Sequence, residues 1–223
     1  MPTCLILGAT RGIGEEMARQ YAQAGYRVLG SYRHPEDGVR LSHLCARTLQ
    51  IDLLQPGWGT ALRKLADESL DLAVLVAGVL GPRSDTLVTP EVAQFDAVMR
   101  TNVLGAMEAI PALAQGLIST GGKLAVISSR MGSIAGTASA SRWLYRASKA
   151  ALNSVLKSAS VELGACGVVC VALHPGWVRT DMGGEEADLS VQESVTSMRR
   201  VIAAANRSHN GRFLNYNGEQ LEW

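Results

Sequence analysis

Seven short apolar runs punctuate this chain, and the stretches between most of them repeat with helical period. The runs are Thr3–Leu7, Arg27–Tyr32, Thr48–Ile51, Leu72–Ala77, Lys123–Ser128, Val168–Leu173 and the shorter Arg212–Tyr216. LAVLVA and VVCVAL are continuous rather than alternating, the pattern of strands in a parallel sheet covered on both faces. Helical patterns lie near Ile13–Ala24, Gly57–Ser69, Pro90–Ile118, Arg142–Leu163 and Ser190–Ala205. Gly25 stands where a C-cap would end the first, and Pro111 should kink the third. Strand–helix alternation predicts an α/β chain: a doubly wound, mostly parallel seven-stranded sheet with helices on both faces. No linker or repeat interrupts the pattern, so residues 1–223 read as a single domain.

Composition narrows the class. The formal charge of +1 is not that of a nucleic-acid binder, which shows a basic face. The longest apolar run, Leu72–Leu80, falls short of the roughly 18 residues of a membrane span. Met1-Pro2-Thr3-Cys4 has no basic n-region. Four scattered cysteines read as reduced thiols, which predicts a cytoplasmic protein. Cys166, Cys170 and His174 are spaced by four, but on a strand that spacing does not converge, so no metal is expected.

The first run leads into Gly8-Ala9-Thr10-Arg11-Gly12-Ile13-Gly14 and then a helix. Such a loop lets backbone N–H groups and a helix N-terminus approach a pyrophosphate; glycine triplets also serve plain tight turns. Further on, Tyr145 and Lys149 stand at i and i+4 on one helix face. A nearby ammonium stabilises phenolate and lowers a tyrosine pKa from about 10. That tyrosine can then exchange a proton with a carbonyl or alcohol oxygen. The pair follows a strand that ends in Ser128-Ser129.

Gly8-x-x-x-Gly12-x-Gly14, Ser129-Arg130-Met131-Gly132, Tyr145-x-x-x-Lys149 and Thr101-Asn102-Val103 together resemble the short-chain dehydrogenase/reductase superfamily, with its Rossmann-like fold. The resemblance covers the whole chain. It implies Tyr145 as acid/base and Ser129 as the group that binds the substrate oxygen. It also implies Lys149 on the ribose hydroxyls, and Asn102 as the residue that shapes the helix and holds a relay water. It lays the cofactor along Gly8, Thr10, Arg11, Gly12, Ile13, Gly14, Arg33, Asp52, Leu53, Ala77, Gly78, Pro175, Gly176, Val178 and Thr180, with Tyr145 and Lys149. Two features depart from the family pattern. Ser129 and Tyr145 are sixteen residues apart, the excess falling in a Ser/Ala-rich loop. Leu75-Val76-Ala77-Gly78 replaces the family's Asn-Asn-Ala-Gly, leaving apolar packing to brace the neighbouring strands.

NAD-preferring enzymes carry an acid after the second strand to bond the ribose hydroxyl. Here Gly30-Ser31-Tyr32-Arg33-His34 offers none. Arg33 and Arg11 are expected to converge on a 2′-phosphate, so NADP(H) is expected over NAD(H). A short polar segment, Met182–Val191, stands where the family has its substrate lid and implies an open cleft. The segments Ser128–Ile134, Tyr145–Asn153, His174–Gly184 and Gly211–Gly218 are similar to the C-factor-like and sniffer-like subgroup, which holds carbonyl reductases and regulatory proteins. The expected function is NADP(H)-dependent interconversion of a small-molecule carbonyl and its alcohol. The alternative is an NADP(H)-binding signalling protein with little turnover. The resemblance also implies a homodimer or homotetramer.

Overall fold

The computed structural model describes residues 1–65 and 68–223. Seven parallel strands form one sheet: β1 (Thr3–Leu7), β2 (Arg27–Tyr32), β3 (Arg47–Gln50), β4 (Leu72–Leu75), β5 (Lys123–Ile127), β6 (Val169–His174) and β7 (Arg212–Asn215). Their spatial order is β3-β2-β1-β4-β5-β6-β7. The chain winds outward from β1 through β2 to β3, then returns to the other side of β1 as β4. That reversal opens a crevice beyond the carboxyl ends of β1 and β4, the general ligand position in doubly wound sheets.

Side chains of successive strand residues point to opposite faces, and the central strands β1, β4 and β5 are buried on both. Leu5, Leu7, Leu124 and Val126 pack with Leu113, Leu117, Leu152 and Leu156. Cys4, Ile6, Val74 and Ala125 pack with Met17, Ala18, Met198 and Ile202 on the other face. The first layer is supplied by α5 (Gly105–Thr120) and α6 (Trp143–Ala165), the second by α1 (Gly12–Gln23) and α7 (Val191–Ala204). The four cysteines are free thiols.

Three elements differ from expectation. A helix, α2 (Pro35–Ser42), fills a stretch between β2 and β3 to which no element was assigned. The expected helix over Gly57–Ser69 is the single short α3 (Gly59–Arg63), and residues 66–67 lie outside the described ones. The long pattern over Pro90–Ile118 divides into α4 (Val92–Met99), a π-helical turn (Arg100–Leu104) and α5. Helix α5 runs through Pro111, so the departure from α geometry lies at 100–104 instead. The whole stretch Val92–Thr120 is long and apolar enough to cross a membrane by composition alone. In this fold its inner face, Ala109, Ile110, Leu113 and Leu117, is core.

Beyond β7 the chain turns back on itself. Asn215 N donates to Glu219 O and Leu221 N to Phe213 O, both at 2.8 Å. The Trp223 ring stacks on Phe213 at 5.5 Å. Trp223 O accepts from Ala135 N at 3.1 Å, which ties this tail to the loop that precedes α6.

Candidate active site

The glycine loop is built by close approach. Gly8 has φ +93°, and a Cβ there would meet Ala77 N at 2.8 Å. A Cβ on Gly14 would meet Gly8 O at 1.8 Å, and one on Gly12 would meet the Thr180 methyl at 3.3 Å. The three glycines therefore bring β1, the segment after β4 and the loop after β6 into one crevice. Val76 N and Ala77 N both donate to Leu7 O at 2.9 Å, ending β4 earlier than its apolar run does. Gly8 N donates to the buried Ser31 hydroxyl at 2.7 Å. Ser31 is a brace that sequence reasoning missed, although a small hydroxyl residue at the end of the second strand was visible. Arg11, at the N-cap of α1, makes no side-chain hydrogen bond to the helix backbone among the described residues, so the first turn keeps free backbone donors. That is the surface a pyrophosphate fits. Ile13 turns into the core.

Across the crevice, Asn102, Ser129, Tyr145 and Lys149 come from three separate elements. Asn102 sits in the π-turn; its Oδ1 accepts from Val79 N at 2.8 Å and its Nδ2 donates to Val79 O at 2.9 Å. The same Nδ2 donates to Ser148 Oγ at 2.9 Å, and Ser148 Oγ donates to Tyr145 O at 2.8 Å. Ser148, a second residue missed in the sequence, thus couples the π-turn to the helix turn that carries Tyr145. It lies within Tyr145-x-x-x-Lys149, three residues after the tyrosine, so helical spacing put it on that face. Gly78 fits between the two sides: a Cβ there would meet Asn102 Oδ1 at 3.3 Å and Lys149 Nζ at 3.4 Å.

Ser129 ends β5 and caps a 3₁₀ turn, its Oγ accepting from Met131 N at 3.1 Å. Gly132 closes that turn directly onto α6, where a Cβ would meet the Lys149 backbone at 2.8 Å. Asn153 holds the same junction. Ser128 Oγ donates to Asn153 Oδ1 at 2.5 Å, and Asn153 Nδ2 donates to Gly132 O at 3.2 Å. The long Ser129–Tyr145 connection leaves both ends anchored.

Burial dominates the electrostatics. It pushes the Tyr145 phenol up to about 12, while the Ser129 hydroxyl and the Arg142 charge pull it the other way. Burial pushes the Lys149 ammonium down to about 8. The ammonium lies 5.7 Å from the Tyr145 ring centroid and donates to Ile127 O at 2.9 Å. An ammonium has three donors, so groups in the crevice can take the others. His174, beside Arg130, is pushed down to about 4 by burial, and among the described residues its Nδ1 has no hydrogen-bond partner.

At the far end, Arg11 and Arg33 do not act together as expected. Arg11 Nη1 pairs with Asp181 Oδ2 at 2.9 Å, with both side chains exposed. Arg33 Nε donates to the neighbouring His34 Nε2 at 2.8 Å. A third guanidinium, Arg40 of α2, donates to Thr10 O and pairs with Glu15 Oε2 at 2.8 Å. It was missed because no helix was expected between β2 and β3. Asp52 Oδ1 accepts from Leu54 N at 3.0 Å, as a turn cap does. Leu53 packs toward Gly105.

The loop after β6 is tied to its own continuation. Pro175 O accepts from Ser194 Oγ at 2.6 Å, and Gly176 adopts φ +83° against Leu189 and Tyr216. Val178 pairs with Leu189. Arg179 Nη1 donates to Ala187 O at 3.0 Å, Trp177 Nε1 to Gly183 O at 2.8 Å and Gly183 N to Thr180 Oγ1 at 3.1 Å. The 182–190 segment is a bonded loop, and α7 begins at Val191.

A glycine loop at a helix start, facing a tyrosine–lysine turn across the switch point of a doubly wound sheet, defines a dinucleotide-dependent oxidoreductase. The family model for short chain dehydrogenase matches residues 2–189, and the chain belongs to that family. The C-signal protein of Myxococcus xanthus is 46% identical over 114 residues, 51% of this chain and 67% of that one. A carbonyl reductase of Pseudomonas aeruginosa PAO1 solved in complex with NADP is 33% identical, with TM-score 0.87 over 100% of both chains. The carbonyl reductase Sniffer of Drosophila melanogaster is 28% identical, with TM-score 0.91 over 100% of both.

Proposed function

We propose that this oxidoreductase reduces a ketone or aldehyde to an alcohol, or runs the reverse reaction, with NADP(H) in preference to NAD(H). The observation that carries the reading is that Asn102 and Lys149 both face Gly78, next to Ala77 against which Gly8 of the glycine loop packs, with the Tyr145 ring 5.7 Å from the Lys149 ammonium. The nicotinamide, when bound, supplies or accepts the hydride. Ser129 donates a hydrogen bond to the carbonyl oxygen and Tyr145 delivers the proton to it. Lys149 holds ribose hydroxyls with its spare donors and, as a cation, lowers the phenol pKa. Asn102 fixes the turn on which this geometry depends. The pyrophosphate lies against Gly8, Thr10, Gly12, Ile13 and Gly14, and the ring end against Pro175, Gly176, Val178 and Thr180. Ala77, Asp52 and Leu53 flank the adenosine side.

The preference for NADP(H) is supported by the lack of an acid after β2 and by three guanidiniums around the glycine loop. Arg11 and Arg33 would hold a 2′-phosphate, and the exposed Arg11–Asp181 pair, a kind worth only about 0–1 kcal/mol, would not prevent it. The NADP-bound Pseudomonas relative supports the same choice. The 182–190 loop would form one rim of an open substrate cleft. Exposed Val92, Phe95, Met107 and Val161 support a homodimer or homotetramer built on α4, α5 and α6. Four free cysteines suit the cytoplasm.

The test is NADPH absorbance at 340 nm against a panel of aldehydes, ketones and quinones. Tyr145→Phe should abolish turnover and leave NADPH binding within about twofold, because the phenol oxygen carries the proton and not the cofactor's charge. Retained turnover in that variant would remove Tyr145 from its role. A second reading, a cofactor-binding signalling protein, is favoured by the similarity to the Myxococcus C-signal. A wild-type protein that binds NADPH yet reduces nothing on the panel would support it.

A further inference from the structure

We propose that the cleft between the 82–90 segment and the start of α6 binds a carboxylate carried by the carbonyl substrate, with Arg142 and Arg83 as its counter-charges. The proposal rests on the reductase reading and deepens it by naming a substrate class.

The cleft measures about 210 Å³, and its walls include Pro82, Val88, Trp143 and Leu144, with Arg83 and Arg142 among them. The apolar walls suit the body of an aromatic or aliphatic acid, and the guanidiniums suit its head. The walls are fixed to each other on both sides. Arg142 N donates to Ser84 O at 2.7 Å, and Trp143 Nε1 donates to Val88 O at 3.0 Å. Among the described residues Arg142 is the one non-glycine residue with positive φ, at 55°. L-residues rarely adopt that conformation unless their surroundings impose it. Here the surrounding bonds hold the root of the Arg142 side chain at the cleft.

The charge balance points the same way. The cleft also contains one carboxylate, Asp85. Among the described residues neither arginine, nor Asp85, belongs to an ion pair. Two unpaired guanidiniums against one carboxylate leave the cleft cationic, and a planar guanidinium is built to take a carboxylate through paired hydrogen bonds. Arg142 caps the start of α6 three residues before Tyr145, and Leu144, another wall of the cleft, adjoins the tyrosine in the chain. An acid seated in the cleft therefore lies beside the first turn of α6, the turn that carries Tyr145. The Arg142 charge acts on that phenol, consistent with this proximity.

The test compares an acid with its neutral ester, so that general effects cancel within each variant. NADP-loaded protein is titrated calorimetrically with 4-(hydroxymethyl)benzoate and with its methyl ester. The variants are Arg142→Asn, which tolerates the left-handed backbone, and Arg83→Gln. Turnover of 4-formylbenzoate and methyl 4-formylbenzoate is measured alongside. The wild type should bind the acid about tenfold more tightly than the ester, the scale of a charge-assisted hydrogen bond. That preference should fall with added salt and collapse in Arg142→Asn. Equal binding of acid and ester by the wild type overturns the proposal, as does a preference that survives both substitutions. An acid preference lost in the variants, with no turnover of either aldehyde, keeps the cleft assignment and sinks the reductase reading. Turnover of both aldehydes without an acid preference does the reverse. If Arg142→Asn fails to fold, Arg83→Gln and the salt dependence decide.

Discussion

Lys149 is a buried ammonium in a protein that could fold more comfortably without it. Burial lowers its pKa from 10.5 to about 8, so at neutral pH the folded state carries a charge that water would solvate better. Lys149→Met removes that penalty, roughly 3 kcal/mol by the size of the shift, and orphans Ile127 O, at about 1–3 kcal/mol. The expected net effect at pH 7 is stabilisation by about 1 kcal/mol, with turnover lost. The sign carries a pH signature. Between about pH 8 and 10.5 the unfolded lysine holds a proton that the folded one has released, so wild-type stability rises with pH there. The variant lacks that rise, and its advantage should disappear by about pH 10.5. Thermal unfolding of both proteins from pH 7 to 10.5 measures this; a variant less stable at pH 7 would contradict it. At this scale the sequence was generous with identity. Tyr145 and Lys149 stood out not by spacing alone but in company with the glycine loop and the Ser128-Ser129 strand end, and the direction of their pKa values was not legible. Proximity predicted a lowered phenol, whereas burial, which depends on the assembled core, raises it.

At the scale of elements, the glycine loop and the π-turn are the two devices that set the crevice. Gly14 faces Gly8 O so closely that Gly14→Ala must push the loop and α1 apart. NADPH binding should weaken by at least about tenfold and stability should fall by about 1–3 kcal/mol. Fluorescence titration and denaturant unfolding check the two effects, and a variant with normal NADPH affinity would show that the contact relaxes freely. Strand positions were legible because their apolar runs have no other home than a two-faced sheet. Helix α2 was not, for no helical pattern was read between β2 and β3. The overlooked signal was Pro35 at the first helical position followed by two acids, a helix start. The π-turn at Arg100–Leu104 left no such trace. Gly105 N reaches back five residues to Arg100 O, and one extra residue in a turn scarcely alters an apolar period.

At the scale of the whole molecule, strand order was the part that alternation alone left open. A chain of seven strands and intervening helices winds in several ways. The reversal between β3 and β4 follows from which neighbours bury β1 best, a property of the packed sheet. The exposed apolar faces of α4, α5 and α6 give the oligomer prediction. Light scattering should report two or four copies, and Phe95→Glu with Val161→Glu should shift the population toward monomer without changing NADPH binding. A wild-type monomer at micromolar concentration would exclude it. The fold-back of the tail over β7 has one more consequence. An edge strand with unpaired N–H and C=O groups is a template on which other chains can pair and aggregate. At one margin of this sheet, Asn215, Phe213 and Leu214 have already found their partners in Glu219, Leu221 and Gln220. At the other margin, β3 is only four residues long and begins with an exposed arginine, Arg47. The sheet therefore ends on both sides in features that discourage further strands, one occupied and one short and charged.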